Sequence, residues 1–359
     1  MAYLRPEDYS VLWIAPLPIE AQAAIHMLDH THDGDFPINP GDDYIFEAGE
    51  MCGHNIVIAT LPLGQEYGTG SAAALASQAK KFFPNLWFGL LVGVAAGLPK
   101  LQSTQRRDIR LGDILVSTPD TTNPAAVAYG LGKDMGKDEP ELLRQGHILA
   151  QTETIVRAAM GSVRLRLLKN PSIFLQYYEK IKDIGHDDGT FVDPGQEHDK
   201  LYHNDDNGVD SPVEREPRPS SQRTRVWYGT IGSGDLLMKN ATRRDELRDK
   251  YDLIGLEMEA AGTLNQIPVG VIRGVCDYAD KHKNKEWQPY AAAMAAAYAK
   301  AILSRIQRRP DSASYDGSGS NSDDTTRAKS GGGGNIFSGK GNQNVGTGTI
   351  SFGGSQNIS

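Results

Sequence analysis

Short, nearly continuous apolar runs constrain the fold of this chain more than any other feature of its sequence. Val11–Ala15, Trp87–Val94 and Val269–Cys276 are such runs, and they are typical of strands that are buried on both faces of a sheet. Segments of helical character, among them the alanine-rich Ser71–Lys81, stand between them. The alternation of strand and helix predicts an α/β sheet with helices on both faces.

The same patterns predict the remaining elements and the division of the chain. Further strands are predicted at Asn55–Leu61, Ile114–Ser117, Val226–Thr230 and Ile254–Glu257, and further helices at Ile19–Leu28, Glu139–Met160, Ile173–Ile184, Arg243–Tyr251, Ala260–Gln266 and Trp287–Ile306. Residues 1–309 are predicted to form one domain with an insertion at about 121–225, of which Asp187–Arg225 is a long polar loop. Residues 310–330 are too polar to bury a core and are predicted to be a disordered linker before a Gly/Asn/Gln-rich tail, 331–359.

Charge and composition argue against several classes of protein. The formal net charge is −8, whereas a protein that coats nucleic acid needs clustered cations. No apolar stretch of about 18 residues is free of charge, so neither a membrane span nor, given the charges near Met1, a signal peptide is predicted. Cys52 and Cys276 are the only cysteines, and His26 and His30 lack the glutamate of a helical zinc motif. We therefore expect a cytoplasmic protein without a metal or other cofactor.

Acidic residues follow three of the predicted strands. Glu257 and Glu259 flank Met258 directly after one strand, Asp277 ends the next, and Glu20 lies just beyond the first. Ligands of α/β sheets bind at the carboxyl ends of the strands, so this placement favours a site. The alternative for each acid taken singly is a helix-start charge or a cap.

Glycine-rich segments lie near the ends of other strands and allow a ligand to approach the backbone closely. None of them has the spacing of a dinucleotide-binding or phosphate-binding loop. The candidate binding residues that these segments add are Gly64, Val94, Gly97, Ser233, Gly234 and Asp235.

Several motifs resemble one known family. They are Leu17–Glu20, Asp108–Asp113, Pro194–Asp199, Glu257–Gly262, Arg273–Asp280, Asp280–Asn284 and Trp287–Tyr290. Together they are similar to the purine nucleoside phosphorylase/uridine phosphorylase superfamily, especially to its fungal branch, which forms the N-terminal domain of NLR-type immune proteins. The resemblance runs from Tyr9 to Ile306. It implies a three-layer αβα sandwich with a central mixed sheet, and cleavage of a base–ribose bond through an oxocarbenium-like transition state.

The resemblance also implies a role for each acid. Asp277 matches the acid that donates a proton to purine N7, so it must be protonated or share a proton near neutrality. Met258 and Glu259 match the ribose-binding pair, Glu257 matches a second acid that orients water, and Glu20 matches the acid that holds the attacking water.

Hydrolysis is favoured over phosphorolysis. Phosphorylases of this superfamily place cations or hydroxyls in the loop after the first strand and near a glycine turn, where they bind phosphate. This chain has Glu20 in the first position and Gly93–Gly97, without cation or hydroxyl, in the second. Asp235 stands where adenine-binding relatives carry Asn, which leaves the choice between amino- and oxo-purines open.

The wider role of the chain stays open at this point. Resemblance to enzymes that remove adenine from ATP implies a cationic pocket, for which Arg215 and Arg218 are the first candidates and Arg106, Arg107, Arg110, Arg223 and Arg225 the others. A phosphate-dependent phosphorylase and a nucleotide-sensing module without turnover are the alternatives. The expected partners are a small purine nucleoside or nucleotide, a second copy of the chain in a homo-oligomer, and an NLR-type protein or self-templating through the amyloid-like tail; neither nucleic acid nor membrane is expected.

Overall fold

The structure, a computed structural model, describes residues 4–34, 36–130, 132–133, 141–142, 149, 151–170, 172–187, 189–204 and 210–307. The chain divides into two units, Met1–Arg309 and Pro310–Ser359. The linker and the tail predicted from the sequence lie outside the described residues.

The strands and helices of the described residues have the following bounds. The strands are β1 Val11–Ile14, β2 His30–Thr31, β3 Phe46–Met51, β4 His54–Ala59, β5 Phe88–Gly97, β6 Ile114–Ser117, β7 Ala126–Ala128, β8 Gly132–Lys133, β9 Glu141–Leu142, β10 Gly185–His186, β11 Gly189–Thr190, β12 Leu201–Asn204, β13 Asp210–Val213, β14 Val226–Ser233, β15 Leu253–Glu257 and β16 Val269–Asp277. The helices are α1 Pro18–His26, α2 Thr69–Phe82, α3 Thr154–Leu167, α4 Leu175–Ile181, α5 Ala241–Tyr251, α6 Ala260–Leu264 and α7 Gln288–Leu303. None of these described helices is long and apolar enough to cross a bilayer.

One mixed sheet organises the domain. Its strand order is β15-β14-β6-β16-β5-β1-β4-β3-β2, and β7 pairs with β14. Strands β1, β4, β5 and β16 are paired in parallel, whereas β16 with β6 and β15 with β5 are antiparallel. The pairing of β15 with β5 closes five strands on themselves. The predicted central mixed sheet is therefore confirmed.

Residues of the central strand β16 contact both faces of the sheet in alternation. A Cβ on Gly274 would meet the backbone of Ala291 in α7, and one on Gly270 would meet Met160 in α3, so these positions face α3 and α7 and allow close packing. Successive side chains of a strand point to opposite faces. Arg273 therefore points away from α7, towards Glu259 at the start of α6. This alternation delivers a charged side chain to the face that carries the site.

The helix predicted at Glu139–Met160 is wrong in its bounds. Glu141–Leu142 is a strand paired with Gly132–Lys133, and the described helix α3 begins only at Thr154. The Thr152 hydroxyl donates to the carbonyl of Val269 at 2.9 Å, which ties the chain to β16 just before the helix. Residues 139–140, 143–148 and 150 of that prediction lie outside the described residues.

Ion pairs fasten the insertion to the rest of the domain. Arg218 donates to both carboxylate oxygens of Asp113, at 2.6 and 3.0 Å, and both side chains are buried. Arg215 lies 2.8 Å from Asp199 and donates to the hydroxyl of Tyr278 at 2.9 Å. The two arginines proposed as phosphate contacts are thus committed to internal carboxylates.

We expect Arg218→Met to lower the free energy of unfolding by about 3 kcal/mol, because removing one partner of a buried ion pair leaves an uncompensated charge. Urea denaturation of the full chain measures this change. Arg5→Met is the matched control: Arg5 pairs with Asp8 at 3.6 Å on the surface, with a side chain that is 68% exposed, and such pairs contribute less than about 1 kcal/mol. Equal losses in the two variants would contradict the structural role of Arg218.

Candidate active site

A cavity of about 360 Å³ lies at the carboxyl ends of β1, β5, β14, β15 and β16, since the residues that line it end or follow these strands. Six residues predicted from the sequence share its wall: Glu20, Val94, Glu257, Met258, Glu259 and Asp277. Each of the four carboxylates is buried. The sheet therefore brings together acids that are up to 257 positions apart in the chain, from Glu20 to Asp277.

Glu20 is held by backbone amides at the corner between β1 and β5. Its Oε2 accepts the N–H of Leu17 at 2.8 Å, as in a helix cap, and its Oε1 accepts the N–H of Val94 at 2.7 Å. A Cβ on Gly93 would lie 2.0 Å from Glu20 Oε1, so only glycine at that position leaves room for the carboxylate. Burial raises the pKa of Glu20, although Arg273 and both amides act against it. The carboxylate is therefore fixed in place and binds a proton more readily than an exposed glutamate does.

Arg273 connects the glutamates behind the cavity wall. Its Nη2 donates to Glu257 Oε2 and, at 2.9 Å, to Glu259 Oε2, while its Nη1 lies 3.7 Å from Glu20 Oε1. The guanidinium is fully buried. Burial by itself lowers the pKa of Arg273, but the surrounding carboxylates raise it overall, so the residue stays charged. One cation therefore serves three carboxylates.

The two glutamates after β15 differ in their surroundings. Glu257 accepts the backbone N–H groups of Glu259 and Ala260 at 3.0–3.1 Å in addition to Arg273, so it fixes the start of α6. Burial raises the pKa of Glu259, Arg273 opposes this, and the carboxylates of Glu257 and Glu20 raise it further. Glu257 is the anchored acid and Glu259 the one with capacity left for a ligand.

Asp277 is surrounded by hydrogen-bond donors. Its Oδ1 accepts the N–H of Ala279 at 2.8 Å, and its Oδ2 lies 2.9 Å from Lys283 Nζ and 3.3 Å from Cys276 Sγ. The contact with Lys283 is an ion pair, and it places an ammonium group directly beside the carboxylate.

Some predicted binding residues do not line the described cavity. Ser233 Oγ accepts the N–H of Ala261 at 2.9 Å, and Asp235 accepts the N–H and hydroxyl of Thr69 at 2.6 and 2.8 Å. Both side chains therefore bind the first residues of helices, and Leu237 and Met238 of the same connection line the cavity instead. The others outside the lining are Gly64, Gly97, Gly234, Arg215 and Arg218.

Sequence reasoning missed several residues of the site. Arg273 was quoted only as part of a motif, although a charge inside an apolar strand is itself a signal, because it needs a partner. Lys239, Lys283 and Lys285 line the cavity, but a lysine in a polar connection carries no such signal. Among the described residues no cluster of three or more histidine, cysteine or acidic side chains is suited to hold a metal ion.

Comparison with solved structures defines the class of fold. The 5′-methylthioadenosine/S-adenosylhomocysteine nucleosidase of Neisseria meningitidis, solved with methylthio-immucillin-A, aligns with a TM-score of 0.54 and 17% identity over 83% of this chain and 99% of its own. Futalosine hydrolase of Helicobacter pylori aligns with a TM-score of 0.55 and 15% identity over the same shares. The chain has the nucleoside phosphorylase-like fold of these nucleosidases.

Sequence comparison adds the protein context. No protein-family model matches the chain. A nucleotide-binding leucine-rich repeat (NLR)-like protein of Hyaloscypha variabilis is 40% identical over 307 residues, which are 84% of this chain and 30% of the relative. The chain is thus homologous to part of an NLR-like protein and spans less than a third of its length. The resemblance to an NLR-associated domain with this fold is confirmed.

We expect Gly93→Ala to lower the free energy of unfolding by about 2 kcal/mol, the scale of an overpacked buried position, because the added methyl displaces the Glu20 carboxylate from the amide of Val94. Urea denaturation of the full chain measures this change. Gly161→Ala is the matched control and should not lower stability, since a Cβ there meets nothing within 4 Å and the position lies inside helix α3. Wild-type stability of Gly93→Ala would contradict the close contact between Gly93 and Glu20.

Proposed function

We propose that this domain hydrolyses the N-glycosidic bond of a purine nucleoside or nucleotide, with adenosine or ATP favoured, to free base and a ribose product. The observation that supports it is the convergence of Glu20, Glu259 and Asp277 in the wall of one cavity. These are the three acids that resemble the water-holding, ribose-binding and base-protonating groups of nucleosidases.

Each acid has a defined part in the proposed reaction. Asp277 passes a proton to N7 of the leaving purine, which makes the base a better leaving group. Glu259 accepts hydrogen bonds from ribose hydroxyls above the apolar side chain of Met258. Glu20 accepts a proton from the water that attacks C1′ as positive charge develops on the ribose ring. The negative charge of the glutamates stabilises that oxocarbenium-like transition state.

Water is favoured over phosphate as the nucleophile. Glu20 already occupies the amide of Val94, in the space that Gly93 leaves open, and a carboxylate there repels a phosphate dianion. The lysines of the cavity come from the connections after β14 and β16 and not from this corner. Arg273, the nearest cation, is fully buried and bonded to carboxylates.

A nucleotide substrate is favoured by the exposed lysines at the cavity. Lys239 and Lys285 line it, are exposed, and form no ion pair with another described residue. Lysine ammonium groups bind phosphates as point charges. We therefore propose these lysines as the phosphate contacts in place of Arg215 and Arg218. Both arginines are already paired with carboxylates inside the protein.

The NLR-like relative supports a proposal about the setting of the domain and not about its reaction. By analogy with its NLR-like relative, we propose that the domain works beside an NLR-type protein, either as a homo-oligomer or through the tail at 331–359. A phosphate-dependent phosphorylase and a nucleotide-sensing module without turnover are the competing functions.

Product analysis tests the nucleophile. We expect the wild-type chain to release adenine and free ribose from adenosine at the same rate with and without inorganic phosphate, because water attacks C1′. Glu20→Gln should lower kcat by about a hundredfold with little change in KM. Chromatography of base and sugar products measures both.

Glu47→Gln, an exposed position on β3, is the matched control and should keep wild-type kcat. Formation of ribose 1-phosphate that depends on phosphate would establish the phosphorylase instead. Binding of adenosine and ATP without release of base would establish the sensing module.

Lys285→Met tests the nucleotide preference. We expect KM for ATP to rise about tenfold while KM for adenosine stays unchanged, since the lost contact is to the phosphates and a charge-assisted hydrogen bond contributes about 1.5 kcal/mol. Steady-state kinetics with both substrates measure the split. Lys182→Met, which removes an exposed lysine paired with Glu179 at 2.7 Å, should alter neither value. Equal effects of Lys285→Met on the two substrates would contradict the phosphate role.

A further inference from the structure

Asp277 forms an ion pair with Lys283, a residue that has no role in the reaction proposed above. Lys283 Nζ lies 2.9 Å from Asp277 Oδ2, and the lysine side chain is 25% exposed while that of the aspartate is 3% exposed. The remaining contacts of Asp277 are also with donors, the N–H of Ala279 and the thiol of Cys276. Among the described residues, Lys283 is the only one that brings an ammonium group within hydrogen-bond distance of Asp277, and it faces the carboxylate directly.

Lys283 stands between two cavities. Besides the substrate cavity, a second cavity of about 230 Å³ reaches the same pair from the side of His198, Tyr202 and Trp287. Cys276, Asp277, Lys283 and Asn284 line both cavities. A proton from solvent can therefore reach Lys283 through the second cavity while a ligand fills the first.

The insertion holds the loop that carries Lys283. The ring of His282 stacks on Tyr202 of β12, with centroids 3.7 Å apart and planes at 14°. Asp210 of β13 lies 2.7 Å from His282 Nε2 and 2.8 Å from Lys281 Nζ. Because the two residues directly before Lys283 contact this hairpin, the ammonium of Lys283 is presented to Asp277 in a defined place.

We propose that Asp277 and Lys283 form a proton relay, in which Lys283 supplies the proton that Asp277 passes to the leaving purine. The inference rests on the proposed function and adds a second residue to the protonation of the base. Lys283 acts through Asp277 and does not itself contact the reacting atoms.

The relay conserves charge until the base departs. Moving one proton from Lys283 to Asp277 turns an ammonium and a carboxylate into an amine and a carboxylic acid with no change in net charge. Burial by itself lowers the pKa of Lys283, but Asp277 raises it overall, so the lysine holds the proton in the empty site. A purine that covers the pair and excludes water penalises the two charged forms and favours the neutral pair.

The remaining steps balance. As the C1′–N9 bond breaks, its electron pair stays with the base and N7 takes the proton of Asp277. The oxygen of water bonds to C1′, and the proton it loses goes to Glu20. Afterwards the Lys283 amine regains a proton from solvent through the second cavity, and Glu20 releases its own.

Lys283→Met and Lys283→Arg test the relay with two leaving groups. Arginine keeps the positive charge beside Asp277 but does not give up a proton. Adenosine needs protonation of its base, whereas the 4-nitrophenolate of 4-nitrophenyl riboside leaves without it. We expect both variants to lose about a hundredfold in kcat on adenosine, the scale of a general acid, and to stay within about twofold of wild type on the nitrophenyl riboside.

Two controls accompany these variants in the full chain. Lys182→Met removes a lysine that is paired with Glu179 at 2.7 Å and lines neither cavity, and it should keep wild-type kcat on both substrates. Asp277→Asn combined with Lys283→Met should be no slower on adenosine than the slower single variant, because residues that act as one unit are not additive.

Each other outcome overturns the relay. Wild-type turnover of adenosine by Lys283→Arg would reduce Lys283 to a fixed charge, and equal losses on adenosine and the nitrophenyl riboside would reduce it to a structural residue. Wild-type turnover of adenosine by Lys283→Met would remove it from the reaction while the proposed function stands. A wild-type chain that releases no base from adenosine or ATP would defeat the proposed function, and the relay with it.

Discussion

The guanidinium of Arg273 is the constraint on which the site depends. Three glutamates from separate elements converge on one buried region, and without a cation their mutual repulsion and desolvation would oppose folding. Arg273 contacts Glu257 and Glu259 directly and lies 3.7 Å from Glu20. Because it projects from the central strand β16, it joins the loop after β1, the start of α6 and the middle of the sheet through a single side chain. The cavity is where these elements meet.

This shared cation divides the acids by their remaining freedom. Glu257 is bonded to Arg273 and to two backbone amides, so its lone pairs are used within the protein. Glu20 has two amides but only a longer contact with Arg273, and burial raises its pKa. A buried carboxylate that two amides align, and whose contact with Arg273 is the longest of the three, is suited to take a proton. The three glutamates therefore differ in their capacity to accept a proton or a hydrogen bond because their contacts within the protein differ.

The sequence predicts those parts that depend on local pattern. Apolar runs located Ile114–Ser117 within its observed bounds, and the acids predicted at successive strand ends line one cavity. Contacts between distant residues could not be predicted from the sequence. Arg218 pairs with Asp113, 105 positions away, and the residues around Arg218 do not distinguish it from a solvated arginine in a loop. The start of α3 was misjudged because its apolar spacing, Val156, Ala159, Met160 and Val163, begins well after the polar stretch that suggested a longer helix. A single sequence shows periodicity and strand ends, but not which charges pair.

The insertion contacts the segment that carries Asp277 and Lys283. Arg215 donates to the hydroxyl of Tyr278, the residue directly after Asp277, and Tyr278 in turn donates to Asp199 at 2.5 Å. Asp210 of the hairpin β12–β13 contacts His282, which lies farther along the same segment. The insertion therefore contacts both ends of the short segment from Asp277 to Lys283, behind the cavity and not inside it. Arg215 and Arg218 of the insertion could bind the phosphates of a ligand only if their buried ion pairs were broken. The exposed lysines that line the cavity have no such ion pair with a described residue to break. The segment that carries the proposed base-protonating acid is therefore held by the insertion at Tyr278 and His282, the neighbours of Asp277 and Lys283.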